Sequence, residues 1–318
     1  MDAKEYYEQL LKRQLSFLNI SEYHSLGYKG QGITILNAES FPGADGHGEM
    51  TTGVINDYAP ESTVINSVIG GSTSGNKVID TYLIINSSKI DFEEAIDKYG
   101  IKIITSSHSN GNNSARNGYM KDVQKRKGII MISSAGNYAD DGVTGTYTKD
   151  DTAIAVGAAQ IKENGIVERM YYSSTGPELD FMCFTGRGSG TSAASPALAS
   201  MGALLLQRYG DFNQQECVEI LKSLCIDLGV TGRDDSFGYG LPVLPLTDKL
   251  EILERLRGGN MEFKDVNDTD WFKNAVDFCT EQGTLQGFPD GTFKPNEPLT
   301  RAQYAQAEYN KAKKEGRI

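Results

Sequence analysis

An α/β fold, a three-layer parallel sheet with helices on both faces followed by a small helical module, is predicted from three observations. Apolar β-rich runs such as Ile33-Thr34-Ile35-Leu36 and Ile129-Ile130-Met131-Ile132-Ser133 are short and nearly unbroken, the pattern of strands buried on both faces. Segments of helical spacing alternate with them, and Gly-rich turns join the two, which calls for a parallel sheet covered on both sides. Beyond residue 260 the composition changes, marking the added module. In such a sheet the functional residues gather where the strands end.

The 318 residues exceed one typical domain, so one large domain with an appendage is expected. A net charge of −11 argues against nucleic acid or an anionic membrane as partner, because a phosphate surface demands a basic footprint. The four cysteines contain no Cys-x-x-Cys pair, so reduced, mostly buried thiols are expected rather than a zinc site or a disulfide framework. No apolar run is long enough to span a bilayer. The charged N-terminus lacks the apolar core of a signal peptide, which predicts a cytoplasmic location.

Taken in order, residues 1–20 form a helical arm with Tyr6, Tyr7, Leu10, Leu11, Leu15 and Leu18 at helical spacing. Gly27 to Gly32 turn the chain into a strand over 33–36, which ends at Asn37. Ser40, Pro42, Gly43, Asp45 and Gly46 mark a tight loop, and His47 opens a helix through Val54. A strand over 62–68, a helix over 92–99 and a strand over 101–105 follow, the last ending in Ser106-Ser107-His108-Ser109. Then come a helix over 117–127, the strand 129–133 leading to Asn137, a strand over 152–157 and a hairpin at Asn164-Gly165. Helices over 196–209 and near 214–224 close a domain spanning 21–248. A charged connector and Gly258-Gly259-Asn260 make 249–260 a linker, leaving 261–318 as the module.

The stretch from Gly188 to Ala199 sets a serine between small residues just before Pro196 and a long apolar run. A serine so placed can attack a carbonyl when a base and an oxyanion site lie nearby. The simpler alternative has Ser192 or Ser195 capping the helix, with Pro196 in its first turn. Only His24, His47 and His108 are available as imidazole bases.

The order His47-Gly48, then Ser133-Ser134-Ala135-Gly136-Asn137, then Gly190-Thr191-Ser192-Ala193-Ala194-Ser195-Pro196 resembles the subtilisin-like serine peptidases, over residues 21–243. Ser173 to Asp180 and Phe237-Gly238-Tyr239-Gly240 extend the likeness. The resemblance implies a polypeptide substrate, Ser192 as nucleophile, His47 as base and Asn137 as oxyanion donor. It also implies that Ser107, His108 and Ser109 offer a strand edge to the substrate backbone. No metal and no cofactor are expected; the calcium loop that many relatives insert after Gly53 is missing, and too few residues precede Ser21 for the usual pro-domain.

One departure matters most. Where the family has an aspartate that orients the histidine, this chain has Asn37, and a neutral amide does that task badly. Glu39 and Asp45, in a loop shorter than the family's, are candidate substitutes. The alternatives are a slow peptidase, a pseudopeptidase that binds peptides as a scaffold, or an altered residue at position 37. At the other end, Phe263-Lys264-Asp265-Val266, Gly287 to Pro295 and Leu299-Thr300-Arg301-Ala302-Gln303 resemble one S-layer homology repeat. That implies cell-wall polysaccharide binding, or self-association through 261–318 to supply the missing copies of a module usually found in threes. Gln303 stands where the family has glutamate, and a plain helical packing module is the alternative.

Overall fold

The computed structural model describes residues 2–39, 46–74, 77–108, 114–145, 147–148, 151–256, 263–267, 269–281, 283–288 and 291–314. The chain divides into two compact units, Met1–Asp248 and Lys249–Ile318.

The first unit opens with helices α1 (Ala3–Phe17) and α2 (Ile20–Ser25). Strands and helices then alternate: β1 (Thr34–Ala38), α3 (His47–Tyr58), β2 (Thr63–Ser67), β3 (Ile69–Ser74), β4 (Lys77–Ile85), β5 (Ser88–Asp91), α4 (Phe92–Tyr99), β6 (Ile101–Ser106), α5 (Ser114–Lys127), β7 (Ile130–Ser134), β8 (Ile154–Ile161), β9 (Val167–Arg169), β10 (Phe181–Phe184), α6 (Thr191–Tyr209), α7 (Gln214–Ser223), β11 (Cys225–Ile226) and β12 (Leu241–Pro242). The central sheet runs β10-β8-β7-β6-β1-β2 with every neighbouring pair parallel, and β9 turns back antiparallel on β8 through the turn at Asn164-Gly165.

Both faces are covered. Leu36, Ala38, Ile104 and Met131 pack with Phe92, Ala95 and Ile96 of α4 and Met120 and Val123 of α5. On the opposite face α6 lies close enough that a Cβ on Gly202 would stand 3.3 Å from Ile103 Cδ1. Local signals explain the boundaries: the Asp91 carboxylate accepts the N–H groups of Glu93 and Glu94 to start α4, and Gly100 at φ 60° ends it. Asn213 and Glu216 form a reciprocal capping box on α7.

Three differences from the sequence expectations have physical causes. The arm extends into a second helix, α2, after Asn19 at φ 59°; Tyr23 donates to the Pro245 carbonyl and Asn19 to that of Leu244, so the arm is stitched to the end of the same unit. Tyr6 and Tyr7, expected to pack, are about half exposed. Residues 69–74 and 77–91, with no element foreseen, form a three-stranded antiparallel sheet, β3-β4-β5, whose Gly-Gly start and polar residues hide its period.

The third difference is α6, which starts at Thr191 rather than Pro196. Gly190 is its N-cap and makes no side-chain cap, so neither serine caps it. Pro196 sits inside the helix, where it cannot donate to the carbonyl four residues earlier. The second unit holds α8 (Glu251–Leu256), α9 (Lys273–Glu281) and α10 (Arg301–Lys314). Phe263, Val266 and Val276 form its small core with Phe272 and Phe293, and the Asp265 carboxylate accepts the N–H groups of Phe293 and Lys294 at 2.8 Å each.

Candidate active site

Five segments meet at the C-terminal ends of β1, β6 and β7. The first comes from β1. Side chains alternate along a strand, so positions 37 and 39 share a side, with 39 about 7 Å further along. Asn37 is fully buried, and its amide Nδ2 donates to Thr51 Oγ1, Thr52 Oγ1 and Asn66 Oδ1 at 2.9, 3.1 and 3.1 Å. Its Oδ1 has no hydrogen-bond partner among the described residues. Asn37 thus ties β1 to α3 and β2 through its Nδ2.

The carboxylate against the imidazole belongs to Glu39. Its backbone N–H donates to Ser67 O at 2.9 Å, extending the β1–β2 ladder one residue beyond the strand. The side chain is fully buried. Oε1 accepts the backbone N–H of Ser107 at 2.6 Å. Oε2 lies 3.2 Å from His47 Nδ1 and 3.4 Å from His108 Nε2. These are contacts of ion-pair length rather than aligned hydrogen bonds, as is common before substrate tightens a site. A buried carboxylate persists only when paired, and this one has a backbone donor and two imidazoles.

The second anchor is Ser107. Because Pro196 has no N–H, the carbonyl of Ser192 is left without its helical donor, and Ser107 Oγ donates to it at 2.9 Å. One residue therefore joins Glu39, through its backbone, to the nucleophile candidate, through its side chain. Among residues 191–206 of α6, Ser192 alone is not buried. Ser195, by contrast, is fully buried and shares a 2.7 Å hydrogen bond with Thr105. The serine that a reactant can reach is Ser192.

The first turns of α3 and α6 abut around Gly188, where an added Cβ would lie 2.6 Å from both Met50 Sδ and Ala193 Cβ. This contact brings the helix that begins with His47 against the helix that carries Ser192. Asn137, just past β7, accepts Thr191 N–H and Thr191 Oγ1 on its Oδ1 at 2.9 and 3.1 Å. With the oxygen so engaged, Nδ2 is the group left to donate.

Ser107 and His108 are both half-exposed at the end of β6; Ser109 and Asp45 lie outside the described residues. Tyr172 was not foreseen: its hydroxyl accepts Gly190 N–H at 3.1 Å, and its place just before Ser173-Ser174 was the available signal. Among the described residues no group of three or more His, Cys, Asp or Glu side chains could hold a metal ion. All four cysteines are free, and burial pushes the thiols of Cys183 and Cys217 up to about 12.

A parallel sheet whose strand ends gather serine, histidine, carboxylate and amide defines a class, the serine peptidases of subtilisin type. The family model for the subtilase family matches residues 33–240, and the chain belongs to that family. An S-layer homology domain model matches residues 262–305. The chain is 26% identical to the minor extracellular protease Epr of Bacillus subtilis (strain 168), over 70% of this chain and 36% of that protein. It is 29% identical to subtilisin DY of Bacillus licheniformis, over 66% of this chain and 79% of that one. The chain thus spans about a third of the length of the first relative and most of the second. A cellulosome-anchoring protein of Acetivibrio thermocellus is 39% identical over 62 residues, 20% of this chain and 14% of that protein. The fold matches the crystal structure of MycP1 with its N-terminal propeptide removed, at a TM-score of 0.54 and 17% identity, over 72% of this chain and 94% of that one.

Proposed function

We propose that the first unit is a serine endopeptidase in which Glu39 takes the orienting role and Asn37 a structural one. The observation that carries this reading is the buried Glu39 carboxylate at His47 Nδ1, tied through Ser107 to Ser192. Ser192 Oγ attacks the peptide carbonyl while His47 Nε2 takes its proton and passes it to the leaving amine. Water then attacks the acyl-enzyme with His47 again as base, releasing the acid and restoring the serine. Asn137 Nδ2 and the Ser192 N–H hold the oxyanion. Glu39 keeps the proton on Nδ1 and stabilises the imidazolium. An extended polypeptide along Ser107 and His108 is the substrate class.

A fluorophosphonate probe should label the wild type and leave Ser192→Ala unlabelled. Glu39→Gln should lower kcat by up to about 10⁴-fold with an unchanged fold, the loss that follows when a triad carboxylate is made neutral. Absence of labelling in a correctly folded wild type would favour the peptide-binding or cell-wall-associated scaffold suggested by Asn37 and the C-terminal repeat.

For the second unit, the S-layer homology match and the anchoring relative support surface or cell-wall association, in place of the cytoplasmic location expected from the N-terminus. Pull-down of the full chain on purified wall polysaccharide, lost when residues 261–318 are removed, tests this. Sedimentation of the same pair tests self-association.

A further inference from the structure

We infer that His108 is a positioning residue that tunes the basicity of His47 through the carboxylate they share. The inference rests on the peptidase reading for its catalytic consequence, but not for its physical content. Two imidazoles meet one buried oxygen, His47 Nδ1 at 3.2 Å and His108 Nε2 at 3.4 Å from Glu39 Oε2. The two ring nitrogens therefore lie within about 7 Å of each other, close enough for one positive charge to oppose the other.

The titratable groups that meet His108 among the described residues are Glu39, at the end of β1, and across that carboxylate His47, the first residue of α3. Arg116, near the start of α5, donates to the Gly71 carbonyl. Both imidazoles are about one-third exposed, so protons reach them. When His108 carries a proton it competes for the negative charge of Glu39 and repels a second charge on His47. His47 is then harder to protonate and remains a base at lower pH than Glu39 alone would allow. Ser107 locks the carboxylate from the other side through Oε1, so Glu39 cannot turn away from either ring.

Replacing His108 by a neutral donor, His108→Gln or His108→Asn, leaves Glu39 attending His47 alone. The acid limb of kcat/KM should move up by about 0.5 pH unit or more, the shift expected from removing a like charge at this distance even with water-like screening. Any loss through the substrate edge lowers kcat/KM at every pH, and below the limb kcat/KM should fall further than it does at pH 8. A merely structural role would lower kcat/KM evenly at all pH values.

The independent readout is the titration of the imidazole C–H resonances by NMR, tractable because the chain has three histidines. In either folded variant the His47 resonance should titrate at higher pH than in the wild type. In Glu39→Gln the His47 and His108 resonances should both titrate lower. An unchanged His47 midpoint in both folded His108 variants would overturn the inference. If the wild type is neither labelled nor active, the peptidase reading falls, and the NMR midpoints still decide the coupling between the rings.

Discussion

At the residue scale the proposed site turns on a two-position displacement. A strand repeats its facing every second residue, so a carboxylate at 39 stands on the side that position 37 would serve, one step nearer the sheet's end. Asn37 has become a tie among β1, α3 and β2, donating to three oxygens. Asn37→Asp would place a fully buried second carboxyl group among those oxygens, with the buried Glu39 side chain nearby. We expect no gain in kcat and a loss of at least about 1 kcal/mol of stability, measured by urea unfolding beside peptide hydrolysis. A large gain in kcat with unchanged stability would return the orienting role to position 37. The sequence singled out His47, Ser192 and Asn137 as candidates because their neighbours, Gly48, Ala193-Ala194-Ser195-Pro196 and Ser133 to Gly136, are tied to tight turns and helix starts. It left Glu39 and Asp45 as equals, because choosing between them requires knowing where β1 ends and which residue still pairs with β2.

At the element scale, strands of continuous apolar residues were legible along with the helices between them, while boundaries moved wherever a polar residue continued an element. Residues 69–91 escaped because a hairpin sheet packed on helices and β2 needs no clean alternation, and Gly70 and Gly71 read as a loop. Gly70 is small for a reason: a Cβ there would meet the Tyr82 ring at 2.5 Å. Beside β10, burial lifts the Asp180 carboxyl to about 6, with Asp151 adding to the shift, although the Ala155 N–H opposes it at 2.8 Å. The unfolded chain ionises near 3.9, so the folded state binds the proton more tightly. Stability is then fully present below pH 4 and is lost as pH rises through about 6, by up to about 3 kcal/mol for this group. Asp180→Asn keeps an oxygen for Ala155 and should unfold at higher urea than the wild type at pH 8, with a smaller difference at pH 4.5. Equal differences at the two pH values would place the proton elsewhere.

At the scale of the whole molecule the division after Asp248 separates two kinds of task. The first unit contains the core, the arm stitched to Leu244 and Pro245, and every residue of the proposed machinery. A chain of residues 1–248 should fold cooperatively and react with fluorophosphonate at about the full-length rate, while losing any retention on wall polysaccharide. Slower labelling would mean that the second unit helps to shape the first. Within the first unit, Ser107 holds the Glu39 carboxylate with its backbone N–H and the Ser192 carbonyl with its hydroxyl. In the proposed peptidase a peptide drawn along that edge would pull on both tethers at once, joining occupancy to alignment. A ligand gripping residue 107 firmly enough to shift it would loosen Glu39 and Ser192 together, and so silence the proposed peptidase without ever touching the serine hydroxyl.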